Sequence, residues 1–394
     1  MIKNKKTIMS IIKDHGTPLY VYDGDIAFQR SEQLKKAFRD FDILYSLKSN
    51  PNPLLAKILS ANCHGAEVAS LQELKIALSN GFKPSAITYG GPGKSLNEIN
   101  QTIKNGIDCI DLESEREIII IEKLRNSGGF MPHLTLRVNT LHKPSNAGEY
   151  MAGGPSVYGI DEEIVLALMK MHKISLSGIH AHVASQVLDA NSLVDHYKET
   201  ADLAISLSNE LGFDLRIINF GGGIGVPYSN DITPIDIFQL GKASCEAMDQ
   251  MFAKVSKRPK LQLEIGRFLV AECGTYYTEI VDVKTSRGRN YVITDCGING
   301  FSRAAMHWAE NHPCSIVSKE KETPTDEYTI TGRSCLPTDI LCKCTALPNP
   351  KPGDVIAVHN AGAYGYTMSM LHWSGRPKPK EIVYWNNTAI ETTR

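Results

Sequence analysis

Ile43-Leu44-Tyr45-Ser46-Leu47-Lys48-Ser49-Asn50 is a mostly apolar run that carries one lysine near its end and stops at Pro51. Such a run, bounded by turn residues, predicts a short buried strand over Ile43–Leu47. Lysine is almost never buried without a partner, so Lys48 has two explanations. It is either a solvent-exposed lysine at a sheet edge, or a desolvated amine whose pKa falls so that it attacks a carbonyl.

Further apolar runs follow at regular intervals and alternate with amphipathic helical patterns. Predicted strands are Ile43–Leu47, Gly65–Val68, Ile87–Tyr89, Cys109–Leu112, His133–Val138, Leu176–His182, Ile217–Phe220 and Leu261–Glu264. Eight strands alternating with helices indicate the α/β class, a TIM-like (β/α)8 barrel over residues 26–270. The active site of such a barrel lies at the carboxyl ends of its strands, which is where Lys48 falls.

The pattern changes near residue 270, where the helical spacing nearly disappears. Predicted strands there are Tyr277–Thr285, Arg289–Asp295, Glu327–Thr331 and Val355–His359. Gly, Pro and Asn separate them, which indicates an all-β, Greek-key or sandwich-like domain over residues 271–394, with residues 1–25 packing on it. The stretch from Leu141 to Pro155 is rich in turn residues and predicts a mobile loop over the barrel mouth.

The composition is that of an ordinary globular protein, with 42% hydrophobic and 22% charged residues and a net charge of −1. This balance points to neither nucleic acid nor an anionic membrane surface as a partner. The nine cysteines lack regular spacing, which favours a reducing, cytoplasmic setting. We find no signal peptide and no run of about 18 apolar residues that predicts a membrane span.

Two short segments follow predicted barrel strands and carry residues suited to binding an anion. Gly221-Gly222-Gly223 is either a flexible turn or a nest of backbone N–H groups for a phosphate. Glu264-Ile265-Gly266-Arg267 is either a surface ion pair or a functional pair. In the second case the Glu would accept a hydrogen bond from a protonated ring nitrogen, and the Arg would bind a phosphate with two parallel hydrogen bonds.

His180 and His182 alternate along one predicted strand, which places them on the same face. No third ligand with suitable spacing accompanies them, so we predict no metal site. Either histidine can be a satisfied core residue, and one of them could stack on a flat cofactor ring. The second domain contains two turn-rich segments, Gly332–Asp339 and Asn360–Tyr366. By themselves they predict a turn with a structural cysteine and a Gly-rich hairpin, respectively. Alternatively, both belong to the same functional site as the barrel motifs.

Together, these segments resemble the fold-type III pyridoxal-phosphate decarboxylases of the diaminopimelate/ornithine decarboxylase family. The resemblance covers the chain from Thr17-Pro18-Leu19-Tyr20 to Gly365, and the motifs occur in the family's order. It implies an amino-acid decarboxylase (a carboxy-lyase) that uses pyridoxal 5′-phosphate. It also implies a head-to-tail homodimer in which each site uses both subunits.

The resemblance also assigns roles to residues. Lys48 would form the Schiff base (the internal aldimine), His182 would stack on the pyridine ring, and Glu264 would pair with the ring nitrogen. Cys335 would return a proton to the α-carbon after CO2 has left. The other implied cofactor contacts are Glu67, Arg137, Ser185, Gly221, Gly222, Gly223, Gly266, Arg267 and Tyr364. The implied substrate contacts are Arg303, His307, Asp339 and Tyr364.

The departures from the family concern the substrate. The residue after the motif cysteine is usually acidic and meets the distal amine of the substrate, but here it is Leu336. An ammonium beside a leucine is costly to desolvate, so a free diamino acid is disfavoured. Gly153-Gly154-Pro155, Cys335–Asp339 and His372–Pro377 resemble decarboxylases of antibiotic and siderophore assembly, such as the glutamyl-carrier-protein decarboxylase of butirosin synthesis.

We therefore expect an amino acid or amino-acid conjugate as the substrate, free or bound to a carrier protein, in secondary metabolism. The alternative within the family is meso-diaminopimelate decarboxylation in lysine biosynthesis. Alternatives from other classes are a racemase similar to alanine racemase and a non-catalytic cofactor-binding protein. The β domain argues against the latter, because single-domain barrel proteins of that kind lack it.

Overall fold

The predicted apolar runs form a closed barrel of eight parallel strands. The structure is a computed structural model that describes residues 5–125, 130–172, 174–229, 231–253, 255, 257–302 and 312–392. The barrel strands are Phe41–Ser46, Gly65–Val68, Ile87–Tyr89, Cys109–Leu112, His133–Asn139, Gly178–His180, Ile217–Asn219 and Lys260–Ile265. Each pairs with the next along the chain, and the first pairs with the last, which closes the barrel. The predicted barrel is confirmed.

Helices connect the barrel strands, and several begin at a side chain that caps them. Asn52 and Ser70 accept backbone N–H groups of the first turn, and Ser95 forms a capping box with Glu98. The α-helices within the described residues are Lys5–His15, Gly24–Ala37, Pro53–Leu59, Leu71–Ser79, Leu96–Lys104, Glu115–Arg125, Glu162–Met171, Ala190–Leu211, Ile237–Met251 and Arg267–Val270. In the described part of the chain, no helix combines the length and apolar character needed to cross a bilayer.

The chain divides into two compact units. The barrel unit comprises residues 30–226 and 234–266, and the β unit comprises residues 1–29, 227–233 and 267–394. The domain limits predicted from the sequence, 26–270 for the barrel and 271–394 with residues 1–25 for the β domain, stay a prediction.

The β unit is built on a mixed sheet of nine strands. They are Leu19–Asp23, Gly274–Ser286, Arg289–Thr294, Cys314–Ile316, Asp326–Thr331, Ile340–Leu347, Val355–Val358, Lys380–Trp385 and Thr388–Thr392. The N-terminal strand lies inside this sheet, antiparallel to Gly274–Ser286 and parallel to Lys380–Trp385. The predicted all-β second domain is confirmed.

A helix that we did not predict packs on this sheet. Ile8, Ile11 and Ile12 of Lys5–His15 are buried in a cluster with Leu19 and Tyr277. The three isoleucines lie at positions i, i+3 and i+4, the spacing of one helical face. The sequence therefore contained the signal for this helix.

Two expectations about the barrel rim were wrong in detail. The sixth barrel strand ends at His180, so His182 lies beyond it rather than on the same strand face. Within the expected loop 141–155, residues Ala147–Tyr150 form a strand antiparallel to Ala184–Val187. Backbone N–H groups of Met151 and Ala152 also donate to Val183 O. These hydrogen bonds tie the loop to the segment that follows His182.

Candidate active site

Lys48 lies in a single turn of 3-10 helix, Leu47–Ser49, directly after the first barrel strand. Two hydrogen bonds fix this turn: Tyr45 Oη donates to Asn50 O at 2.5 Å, and Ser49 Oγ donates to Ser46 O at 2.8 Å. Tyr45 is fully buried, so the turn is anchored in the barrel core. The lysine is thereby held at the carboxyl end of its strand, as predicted.

The Lys48 amine pairs with a buried carboxylate. Its Nζ lies 2.9 Å from Glu67 Oε2, and its side chain is 40% exposed whereas that of Glu67 is 4% exposed. Burial alone would raise the pKa of Glu67, but Lys48 and a hydrogen bond from Ser46 outweigh it and lower the pKa. A carboxylate at this distance favours the ammonium form of its partner. Lys48 therefore has a buried partner, and its part in a Schiff base stays a prediction.

His182 is an uncharged imidazole in a fixed tautomer. Burial lowers its pKa well below the ordinary value, and the charges of Lys48, Arg137 and His180 add to this effect. The backbone N–H of Gly222 donates to His182 Nδ1 at 3.0 Å, which places the ring proton on Nε2. A neutral, fixed ring is suited to stacking on a flat aromatic group.

The glycine triplet packs against His182 and the last barrel strand. A Cβ added to Gly221, whose φ is +65°, would lie 2.6 Å from His182 Cβ, and one added to Gly222 would lie 2.2 Å from Glu264 O. Neither position accepts a side chain. The Gly221 N–H donates to Asn219 Oδ1, and that of Gly222 donates to His182. Two of the three N–H groups therefore donate to side chains, those of Asn219 and His182. A nest made by all three glycines would instead direct these N–H groups at an anion.

A buried row of ionisable side chains crosses the carboxyl end of the barrel. His180 Nδ1 lies 3.0 Å from Asp111 Oδ2, and its Nε2 lies 3.6 Å from Glu264 Oε2. The first contact is an ion pair whose direction is not that of a hydrogen bond. Asn219 Nδ2 donates to Glu264 Oε1 at 2.7 Å. All four residues are buried.

Their ligand atoms also satisfy the distance requirement of a metal site. One atom each from Asp111, His180 and Glu264 lies within 4.8 Å of the other two. The contact distances are equally those of an ion-paired network, and Asn219 already hydrogen-bonds Glu264. These contacts favour an ion-paired network at this position.

Arg137 and Ser185, both predicted to contact a cofactor, lie in the barrel unit with local partners. Arg137 Nη1 donates to Glu113 Oε1 at 2.9 Å, and its guanidinium lies 4.8 Å from the centroid of the Tyr158 ring. Ser185 pairs with Glu149 in the two-stranded ribbon. Gly266 packs closely on Ser49, because a Cβ there would lie 2.8 Å from that of Ser49. Their cofactor contacts stay predictions.

The other predicted residues belong to the β unit. Arg267 is buried; its Nη1 lies 3.2 Å from Tyr228 Oη, and its guanidinium lies 4.8 Å from the centroid of the Tyr364 ring. Cys335 is exposed. Both Asp339 carboxylate oxygens accept backbone N–H groups, from Ile298 at 2.7 Å and Ser334 at 2.8 Å. Arg303 and His307 lie outside the described residues.

Asp339 therefore has a clear local role. It is 3% exposed and ties the turn that carries Cys335 to the chain at residue 298. Its predicted substrate contact stays a prediction.

Sequence reasoning missed several site residues, namely Asp111, Glu113, Asn219 and Tyr228. Asp111 and Asn219 lie inside predicted apolar strands, and an ionisable or amide side chain in such a strand is itself a signal, because it must find a partner when buried. Glu113 and Tyr228 lie in connections and carry no comparable signal.

Comparisons with known proteins agree with this geometry. Residues 25–271 match the family described as pyridoxal-dependent decarboxylase, pyridoxal binding domain. The L-glutamyl-[BtrI acyl-carrier protein] decarboxylase of Niallia circulans is 31% identical, over 97% of this chain and 92% of that protein. The 2-[(L-alanin-3-ylcarbamoyl)methyl]-2-hydroxybutanedioate decarboxylase of Staphylococcus aureus is 33% identical, over 87% and 88%.

The fold has close matches among solved structures. Diaminopimelate decarboxylase from Helicobacter pylori, complexed with L-lysine, superposes with a TM-score of 0.87 at 28% identity. The match covers 98% of this chain and 95% of that chain. Barrel and β unit are therefore both present in proteins of known decarboxylase activity.

Proposed function

This chain belongs to the pyridoxal-dependent decarboxylase family, and on that premise we propose that its substrate is an amino acid joined at its far end to a carrier protein or another acid. The chain is a carboxy-lyase that uses pyridoxal 5′-phosphate. The proposed setting is secondary metabolism, in antibiotic or siderophore assembly.

The observation that carries this proposal is Leu336. It follows Cys335 at the position where the family resemblance implies an acidic residue that meets a distal ammonium, and it is half-buried. Desolvating an ammonium without a partner is costly, whereas an amide or thioester linkage carries no charge. Two relatives, named for a carrier-bound glutamyl group and for a conjugate of alanine with a hydroxy acid, support the same substrate class.

The residues of the barrel unit fit the cofactor. Gly221 and Gly222 leave bare backbone beside His182, and a side chain at either position would clash. His182 presents an uncharged ring, and Glu264 is a buried acceptor suited to a protonated ring nitrogen. Lys48 supplies the amine. We propose that Arg267, Ser185 and Tyr364 hold the phosphate.

When bound, the cofactor supplies the electron sink that takes up the charge left by departing CO2. The residues of this chain then hold and move protons around it. Glu67 Oε2 lies 2.9 Å from Lys48 Nζ and orients the amine. Glu264 holds the proton of the ring nitrogen.

We propose that the Cys335 thiol returns a proton to the α-carbon. The exposure of Cys335 within one chain is consistent with its acting in the partner's site of a homodimer. Leu336, next to it in sequence, would then line the distal end of the same substrate.

The test is CO2 release from a substrate panel. It contains L-glutamate as a carrier-protein thioester, a citryl amide of an amino acid, and free meso-diaminopimelate, ornithine and lysine. We expect kcat/KM to be highest for a conjugate, and Leu336→Glu to shift the preference towards free diamino acids. Leu336→Met is the matched control. Fast turnover of a free diamino acid by the unchanged protein would refute the substrate assignment.

The second candidate is meso-diaminopimelate decarboxylation. The close superposition on a diaminopimelate decarboxylase favours it. The panel separates the two, because this activity gives L-lysine from the free diamino acid and none from the conjugates. A racemase would instead exchange the α-proton with solvent and release no CO2.

A further inference from the structure

His180 has no role in the proposed chemistry, yet it lies between two buried carboxylates. Its Nδ1 faces Asp111 at 3.0 Å and its Nε2 faces Glu264 at 3.6 Å. The side chains of Asp111, His180 and Glu264 are 0%, 3% and 3% exposed, respectively. A buried group with charged neighbours on both sides is a candidate for setting their ionisation.

We propose that His180 is a positioning residue: held by Asp111, its imidazolium faces Glu264 and keeps that carboxylate an anion able to accept the proton of the cofactor's ring nitrogen. This inference rests on the proposed role of Glu264. His180 acts through Glu264 and touches neither cofactor nor substrate in this assignment.

The charge state of His180 follows from its neighbours. Burial lowers the pKa of an imidazole, and Arg137 acts in the same direction. The carboxylates of Glu264 and Asp111 act in the opposite direction and prevail, so the pKa of His180 is raised above its ordinary value. This balance favours the imidazolium form of His180.

The pKa of Glu264 depends in turn on the charge of His180. Burial raises its pKa, and the like charges of Glu67 and Asp111 add to this. His180 is the strongest influence that lowers the pKa, ahead of Lys48. On balance the pKa stays raised, so loss of the imidazolium would leave Glu264 a neutral acid over a wider range of pH.

The geometry leaves Glu264 able to act as an acceptor. At 3.6 Å the contact with His180 is electrostatic and uses no lone pair of Oε2. Asn219 donates to the other oxygen, Oε1, and fixes the plane of the carboxyl group. The imidazolium is nearer to the Glu264 carboxylate than it would be to a ring that Glu264 binds. It therefore lowers the proton affinity of Glu264 more than that of the ring nitrogen, and the shared proton moves towards the ring nitrogen.

The test uses the full chain loaded with pyridoxal phosphate that carries 15N at the ring position. The nitrogen chemical shift separates a protonated ring from a neutral one. We expect a protonated ring in the unchanged protein, a shift towards the neutral ring in His180→Gln, and a smaller shift in the same direction in Asp111→Asn. Cofactor affinity should also fall in His180→Gln, because a neutral Glu264 no longer stabilises a protonated ring nitrogen.

The matched control is His196→Gln. His196 is equally buried, but its Nε2 lies 3.1 Å from the carbonyl of Phe220 rather than near a carboxylate. We expect the 15N shift to be unchanged in this variant. Because a variant can fail to fold, histidine 15N spectra of the unchanged protein are also recorded, and both nitrogens of His180 should stay protonated to a higher pH than those of an unperturbed histidine.

Each outcome has one meaning. If Glu264→Gln leaves the 15N shift unchanged, the proposed role of Glu264 fails, and this inference fails with it. If Glu264→Gln changes the shift but His180→Gln does not, only the inference is overturned. A neutral His180 at pH 7, or a stoichiometric metal ion bound by Asp111, His180 and Glu264, would also overturn it.

Discussion

Glu117 forms a buried ion pair whose removal should be among the most destabilising single changes in the barrel unit. Its side chain is 0% exposed and that of Lys94 is 2% exposed, with Lys94 Nζ 3.0 Å from Glu117 Oε2. Both carboxylate oxygens also accept backbone N–H groups, from Lys94 and Glu113, each at 2.9 Å. Glu117→Gln replaces an anion with an amide and leaves the Lys94 ammonium buried without a counter-charge.

Breaking a buried pair in this way costs about 3–5 kcal/mol. The assay is urea unfolding at pH 7, followed by far-ultraviolet circular dichroism, which reports the helices. For an m-value of about 3 kcal/mol/M the midpoint should fall by about 1–1.7 M. The matched control is Glu115→Gln two residues away, which removes a 54%-exposed carboxylate and should cost less than about 1 kcal/mol.

A second variant separates charge burial from lost packing. In Lys94→Met/Glu117→Gln no uncompensated charge remains, and the amide oxygen still accepts a backbone N–H. We expect the double variant to be more stable than Glu117→Gln alone. If Glu117→Gln shifts the midpoint no more than Glu115→Gln does, the pair is not buried in the way described, and the reasoning is refuted.

Three further predictions follow from the site. Lys48→Ala should remove the visible absorbance band of the bound cofactor while the circular dichroism spectrum stays unchanged; a retained band would exclude Lys48 as the attachment point. Gly222→Ala should lower cofactor affinity at least about tenfold, because its Cβ would lie 2.2 Å from Glu264 O; an unchanged affinity in equilibrium dialysis would contradict this. Burial and the Glu67 charge raise the pKa of Glu73 to about 7. Since the folded state then holds this proton more tightly than the unfolded state, stability is lost as pH rises through 7, and Glu73→Gln should gain stability relative to the unchanged protein at pH 8 but not at pH 5.

The barrel was predictable because its strands are short apolar runs separated by helices with one polar face. Ile43–Leu47 and Cys109–Leu112 are such runs, and eight of them in alternation with helices are typical of a (β/α)8 barrel. Lys48 followed from the same pattern, because a charged residue at the end of a buried strand requires a partner. The partner itself, Glu67, came from the family resemblance rather than from periodicity.

The rest of the site depends on contacts between distant strands, which periodicity does not encode. The partnership of His180 with Asp111 and Glu264 joins three strands far apart in sequence, so the sequence alone presented His180 as an ordinary core histidine. The strand carrying it ends at His180, two residues earlier than predicted, and His182 beyond its end accepts the N–H of Gly222. Roles of individual residues towards cofactor and substrate stay predictions.

The strand Leu19–Asp23 has a consequence for how the protein emerges from the ribosome. Its neighbours in the sheet, around Tyr277 and Ile382, are synthesised more than 250 residues later. At about 5–20 residues per second, this apolar segment waits roughly 10–50 s before its first partner exists. During that interval its unpaired edge is open to pairing with other chains, so synthesis speed and chaperone access, more than the strength of the finished sheet, should set the yield of correctly folded protein.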